Sequence, residues 1–382
     1  MNRCRRSLTF VASLSVALGL VSCVGTAELR RGGPEAAYTG PVITANDGKF
    51  VRFEGRIAAN EKGDVRLSWA GTAASVRFRG TAVSADITDN GKNHFLVLVD
   101  GKPKREKLTP VAGRSTLSLA KGLPRGEHTV TLYKLNEPLV GTSTLHAFIV
   151  DEYGEPLVPQ AAPSARIEII GDSISTGYGN EGENQSCGFS PETQNHFLTY
   201  GARAARDVGA TLTTLAWSGK GVFSNRGVAS DPETMSSLWT RSLPAEGLDY
   251  EFDEAPPQAV LINLGTNDFA PEVEDTTPFA AAYDALLKEV RQKYAKTEII
   301  VAVGPLLSDS YPEGKSALTT VRSTLHHMVE RRRKEGDAHV HFLEFAAVQP
   351  NEGFGCDFHP SEKTHRRMAA TLVKTLREKA GF

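Results

Sequence analysis

Two hydrophobic periods divide the chain. They predict an all-β sandwich of jelly-roll type followed by an α/β domain with three layers around a parallel sheet. Between about residues 49 and 150, apolar and polar residues alternate, the period of a strand with one buried face. Beyond residue 165, short apolar runs alternate with amphipathic stretches of helical spacing, as in a sheet covered by helices on both faces. Glu155-Pro156-Leu157-Val158-Pro159-Gln160-Ala161-Ala162-Pro163-Ser164 separates them, and its three prolines make a stiff, extended linker.

The N-terminus is read as an address, with no part in the fold. Arg3, Arg5 and Arg6 precede an apolar run from Leu8 to Val21, too short for a span of about 20 residues but of secretory length. The run closes on Leu20-Val21-Ser22-Cys23, which resembles a bacterial lipobox. Residues 1–22 are then a lipoprotein signal peptide, with Cys23 the lipidated residue and 23–45 a tether in the bacterial cell envelope. An ordinary signal peptide with an incidental cysteine is the alternative. Removing three arginines takes the formal charge from -2 to -5. That balance excludes a nucleic-acid partner, which needs a basic excess. With Cys23 lipidated, Cys187 and Cys356 remain in an oxidising compartment and are expected to pair; two separate buried thiols are the alternative.

The sandwich is expected over 46–155. Clean alternation runs through Val65–Trp69, Ser75–Arg79 and Ala82–Ile87. Further runs are His94–Val99, Ser115–Leu119, Glu127–Tyr133 and Leu145–Val150. Turn signals such as Asp89-Asn90-Gly91 and Asp100-Gly101-Lys102-Pro103 part them, and about eight strands result. The linker is 156–165 and the second domain 166–382. There, strands are expected at Arg166–Ile170, Thr211–Ala216, Ala259–Leu264, Glu298–Val303 and Val340–Leu343. Helices are expected at Thr193–Val208, Pro278–Tyr294, Ser316–Arg333 and Ser361–Lys379.

In such sheets chemistry gathers at the carboxyl ends of the strands. The first ends in Gly171-Asp172-Ser173-Ile174-Ser175, which presents a serine hydroxyl or merely caps a helix. The second ends in Trp217-Ser218-Gly219-Lys220-Gly221, whose backbone N–H groups suit a small anion, or a simple turn. The third ends in Gly265-Thr266-Asn267-Asp268, where the Asn267 amide can donate to an oxyanion or form an Asx turn. After the last strand, Gly355-Cys356-Asp357-Phe358-His359-Pro360-Ser361 sets a histidine beside a carboxylate ahead of a helix, suiting a general base. The histidines lack metal-ligand spacing, and no metal or other cofactor is required. His339-x-His341 is expected to place two imidazoles on one strand face without an ion.

Ser173, Gly219, Asn267 and His359, in that order and each past a strand, resemble the SGNH-hydrolase superfamily. With a sandwich in front, and with Gly177-Tyr178-Gly179-Asn180 and the His359 loop, the chain is similar to carbohydrate esterase family 2. The resemblance implies a flavodoxin-like SGNH domain and removal of O-acetyl groups from plant polysaccharides such as xylan and glucomannan, often at the 6-position. It implies Ser173 as nucleophile and His359 as base, with Ser173, Gly219 and Asn267 forming the oxyanion hole. The superfamily carries Asp three residues before the histidine, where this chain has Cys356; Asp357 lies two before it. The orienting group is therefore Asp357 or a backbone carbonyl. Trp217, Phe354 and Phe358 are candidates to stack on sugar rings, or to pack the core. An SGNH lipid esterase or thioesterase, and a decayed carbohydrate-binding protein, are the competing readings. The sequence leaves the oligomeric state open.

Overall fold

The computed structural model describes residues 40–227, 232–252 and 255–382. The signal peptide, Cys23 and most of the tether lie outside the described residues.

The first half folds as twelve strands. In chain order these are β1 (Val42–Thr44), β2 (Val51–Glu54), β3 (Ile57–Ala59), β4 (Val65–Leu67), β5 (Ala73–Gly80) and β6 (Val83–Asp89). They continue with β7 (Phe95–Val99), β8 (Lys102–Leu108), β9 (Gly113–Ala120), β10 (Gly126–Lys134), β11 (Ser143–Val150) and β12 (Glu155–Leu157). One sheet runs β3-β4-β11-β6-β9, with β1 sharing the β4 edge of β11; the other runs β12-β5-β10-β7-β8, with β2 also on β5. All their pairings are antiparallel, and inward residues such as Leu67, Phe78, Ile87, Phe95, Leu132 and Phe148 form the core between them.

Three strands were not legible in the pattern. Val42–Thr44 sits inside the expected tether, yet pairs with β11. Glu155–Leu157 opens the proline-rich linker as an edge strand on β5, where Pro156 is tolerated because an edge residue can lack its N–H. β8 reads KPKREKL, almost wholly exposed; it is an edge strand guarded by charge, so it has no apolar alternation.

The second half holds β13 (Arg166–Gly171), α1 (Ser173–Thr176), α2 (Tyr200–Val208), β14 (Thr211–Ala216) and α3 (Met235–Leu238). A small hairpin follows, β15 (Arg241–Leu243) and β16 (Leu248–Asp249). Then come β17 (Ala259–Asn263), α4 (Phe279–Lys293), β18 (Glu298–Val303), α5 (Ala317–Lys334), β19 (Val340–Glu344) and α6 (Glu362–Lys379). The five parallel strands order β14-β13-β17-β18-β19, the doubly wound arrangement whose switch point lies between β13 and β17. α4 and α5 cover one face through Tyr283, Leu287, Val321 and Leu325. α2 and α6 cover the other through Tyr200, Ala204, Met368 and Leu372.

The helix expected from Thr193 begins only at Tyr200. Thr199 has extended backbone and caps the helix, accepting from the Ala202 N–H at 3.3 Å, so Phe197 belongs to a preceding 3-10 turn. His339 and His341 both meet one carboxylate, Glu298, at 2.7 and 2.6 Å. Among the described residues no helix is long and apolar enough to cross a membrane.

Candidate active site

Asp172 ends β13 by capping α1: its carboxylate accepts from the Ile174 N–H at 3.0 Å. The cap places Ser173 at the first helical position, where its own N–H has no intrahelical partner. Burial pushes the Asp172 carboxyl up to about 7.

The loop after β19 brings His359 to this point. Its Nε2 lies 2.8 Å from Ser173 Oγ, and its Nδ1 lies 3.1 Å from the carbonyl oxygen of Cys356. Burial pushes the imidazole down to about 4, against the raising effects of the Cys356 carbonyl and the nearby Asp357 charge. The ring is therefore neutral near pH 7, the form a general base requires.

Asp357 does not orient the histidine in the way a catalytic carboxylate does. Its side chain turns away and accepts from the Tyr178 hydroxyl. The physical reason is the backbone: Asp357 and Phe358 both adopt left-handed conformations, with φ of 50° and 62°. These two residues wind the chain so that the Cys356 carbonyl, and not the Asp357 side chain, meets Nδ1. Tyr178 stacks on the His359 ring, with centroids 4.0 Å apart and planes at 22°. Tyr178 stands in Gly177-Tyr178-Gly179-Asn180, where nothing in the residue pattern marks it for this role.

The groups expected to form an oxyanion hole lie in two further loops. Gly219 has φ of +80°, a conformation that favours glycine, and its carbonyl accepts from the Arg226 N–H at 2.8 Å. Its own N–H, like that of Ser173, meets no acceptor among the described residues. Asn267 is buried and uses one amide hydrogen on the Lys220 carbonyl at 2.9 Å, leaving a second to donate. Asp268 braces this loop pair. Its buried carboxylate accepts from the Val222, Phe223 and Ser224 N–H groups at 2.8 to 3.1 Å. The sequence reading missed it because a buried acid serving backbone donors has no distinguishing spacing.

Cys187 and Cys356 are bonded, with Cα atoms 4.6 Å apart, across 169 positions of sequence. The bridge ties the loop after α1 to the histidine loop. Gly179 lies against it with φ of +56°, and a Cβ there would stand 2.6 Å from Cys356 Cβ. Glu352 anchors the far end of the histidine loop, accepting from Arg367 Nε at 2.5 Å and Nη2 at 2.9 Å and from Thr364 Oγ1 at 3.0 Å.

The three aromatic candidates separate. Phe358 is 60% exposed and meets Phe354 edge-to-face at 5.6 Å, so this pair forms an apolar step beside His359. Trp217 instead is half-buried against the core under α4 and α5, with the Lys220 ammonium 5.7 Å from its ring. That packing accounts for Trp217 without a sugar.

A serine at the switch point, a neutral histidine in hydrogen-bond contact and free N–H donors beside them define a serine ester hydrolase on a three-layer α/β domain. Residues 53–159 match the family described as Carbohydrate esterase 2 N-terminal, and residues 169–367 match the GDSL-like Lipase/Acylhydrolase family. A solved family two carbohydrate esterase from Clostridium thermocellum, in complex with cellohexaose, is 34% identical, with a TM-score of 0.81 over 87% of this chain and 99% of that one. The chain therefore belongs to carbohydrate esterase family 2, whose members are carboxylic ester hydrolases. The Cellulase/esterase CelE of Acetivibrio thermocellus is 34% identical over 88% of this chain, which spans only 40% of CelE's length. An Acetylxylan esterase / glucomannan deacetylase of Cellvibrio japonicus is 26% identical over 85% of this chain and 88% of its own.

Proposed function

We propose that this protein removes O-acetyl groups from plant polysaccharides, xylan and glucomannan, with the 6-hydroxyl of a hexose as the favoured position. The observation that carries the chemistry is the 2.8 Å contact between Ser173 Oγ and His359 Nε2, next to the unengaged Ser173 and Gly219 N–H groups. Ser173 Oγ attacks the acetyl carbonyl carbon while His359 takes its proton. The carbonyl oxygen gains charge and is held by the Ser173 and Gly219 N–H groups and the Asn267 amide. As the tetrahedral intermediate collapses, His359 returns the proton to the leaving sugar oxygen. Water, deprotonated by His359, then attacks the acetyl-enzyme; as acetate is released, His359 returns that proton to Ser173 Oγ. The names of the Cellvibrio japonicus relatives and the cellohexaose bound to the Clostridium thermocellum esterase support the polysaccharide reading. The Phe354–Phe358 step offers an apolar surface for the pyranose ring.

The test is NMR of acetylated glucomannan and xylan before and after treatment, with purified Ser173→Ala as control. Loss of 6-O-acetyl signals with wild type and none with Ser173→Ala is expected. An acyl-chain series that favours long chains over acetyl assigns a lipid ester or thioester instead; absence of all turnover assigns a binding protein. The sequence further supports attachment to the bacterial envelope through a lipid on Cys23. Radiolabelled palmitate incorporated by the wild type and by Cys23→Ala equally would remove that part of the proposal.

A further inference from the structure

Glu137 belongs to the β-sandwich, in the loop between β10 and β11, yet it is fully buried against the hydrolase domain. Its Oε2 accepts from the Ser218 N–H at 2.6 Å; its Oε1 accepts from the Ser218 hydroxyl and from Gln194 Nε2 at 2.7 Å. The Thr176 hydroxyl lies 3.5 Å from the same Oε1. Ser218 immediately precedes the left-handed Gly219. Thr176 closes the helix that opens with Ser173, and its hydroxyl donates to the Ser173 carbonyl at 3.0 Å.

The network is anchored on the sandwich side as well. Gln194, itself buried, returns its Oε1 to the Glu137 N–H and Asn136 Nδ2, each at 3.2 Å. The buried Lys134 ammonium donates to the Asn136 carbonyl at 2.6 Å. Burying a carboxylate this way costs free energy, and an apolar side chain of like volume would hold two domains together as well. What an apolar residue cannot do is grip Ser218 at both its N–H and its hydroxyl. Those two groups flank the Cα from which the Gly219 peptide projects.

We propose that Glu137 is a positioning residue for the oxyanion hole: by fixing Ser218 it aims the Gly219 N–H at the reacting carbonyl, which makes the β-sandwich part of the catalytic apparatus. This rests on the reading of Gly219 as an oxyanion donor. A donor swung out of line stabilises the ground state little less but the transition state much less, so kcat is the sensitive quantity.

The test compares full-length Glu137→Ala and Glu137→Gln with wild type on 4-nitrophenyl acetate, together with their melting temperatures. Glu137→Ala is expected to lose roughly 10² in kcat, with KM within about twofold. Glu137→Gln, which keeps one acceptor oxygen, is expected to recover about tenfold of that loss. Inhibition by a boronic acid that forms a tetrahedral adduct on Ser173 should weaken by the same factor as kcat. Unchanged kcat in the folded variants overturns the proposal. So does a loss that glutamine does not rescue and that follows the melting temperature. Where alanine fails to fold, glutamine and the boronic acid carry the comparison. Retention of turnover by Ser173→Ala would instead sink the esterase reading itself.

Discussion

His359 Nδ1 is held by the main-chain carbonyl of Cys356, 3.1 Å away, while the neighbouring Asp357 carboxylate is engaged with the Tyr178 hydroxyl. A backbone carbonyl supplies the tautomer control that a carboxylate supplies in a triad. It does so without a full charge, and so stabilises the imidazolium less.

The first consequence concerns Asp357→Asn. A carboxylate that orients a catalytic histidine costs about 10⁴ in kcat when neutralised. Here the substitution leaves the Cys356 carbonyl in place, so kcat on 4-nitrophenyl acetate should stay within about tenfold of wild type. A drop near 10⁴ would return Asp357 to the catalytic set.

Burial holds the His359 pKa near 4, below its ordinary value of 6.5. A lowered histidine pKa keeps the base form in acid, so activity is present above the folded value and lost as pH falls through it. The acid limb of a kcat/KM profile is expected at about pH 4. An inflection at 6.5 or higher contradicts the assignment of His359 as the buried base.

The Cys187–Cys356 bond closes a loop spanning 169 positions. Cys187→Ser removes the staple but leaves the Cys356 carbonyl available to His359. Unfolding stability is expected to fall by about 2–5 kcal/mol, read by denaturant titration. At temperatures well below unfolding, kcat should be far less affected than by Ser173→Ala. Equal stability of the two forms would show the staple to be inert.

Arg367, first among its partners, lowers the Glu352 carboxyl to about 2. The depressed value means that its contribution is present above the unfolded pKa near 4.5 and lost as pH falls toward 2. Glu352→Gln should therefore cost roughly 1–3 kcal/mol at pH 7, and the difference from wild type should shrink through that acid window. A gap that stays constant down to pH 2 is inconsistent with an ionised Glu352 in the fold.

Much of this architecture was legible because it follows from periods. Residues 259–262 are all apolar and all buried, as expected of a central strand covered on both faces. Ser173, Gly219 and Asn267 were legible because each falls just past a strand that the period had already located, and His359 because its loop leads into the last helix. β8 was missed for the opposite reason, since a charged edge strand has no buried face to produce alternation. For Trp217 the sequence left sugar stacking and core packing open, because nearness in sequence to Gly219 says nothing about which side of the loop its ring faces; the ring packs partly buried against the core.

By itself, the sequence determined two domains and a parallel sheet with helices on both faces, and it pointed to Ser173, Gly219, Asn267 and His359 as the residues to look for around one site. These depend on local periodicity and on residue type. Only the tertiary structure decided what orients His359 and what steadies Gly219. A main-chain carbonyl carries no residue-type signal, and its selection over Asp357 depends on two successive left-handed residues. Glu137 meets Ser218 across 81 positions and a domain boundary, a contact that exists only once both cores have packed.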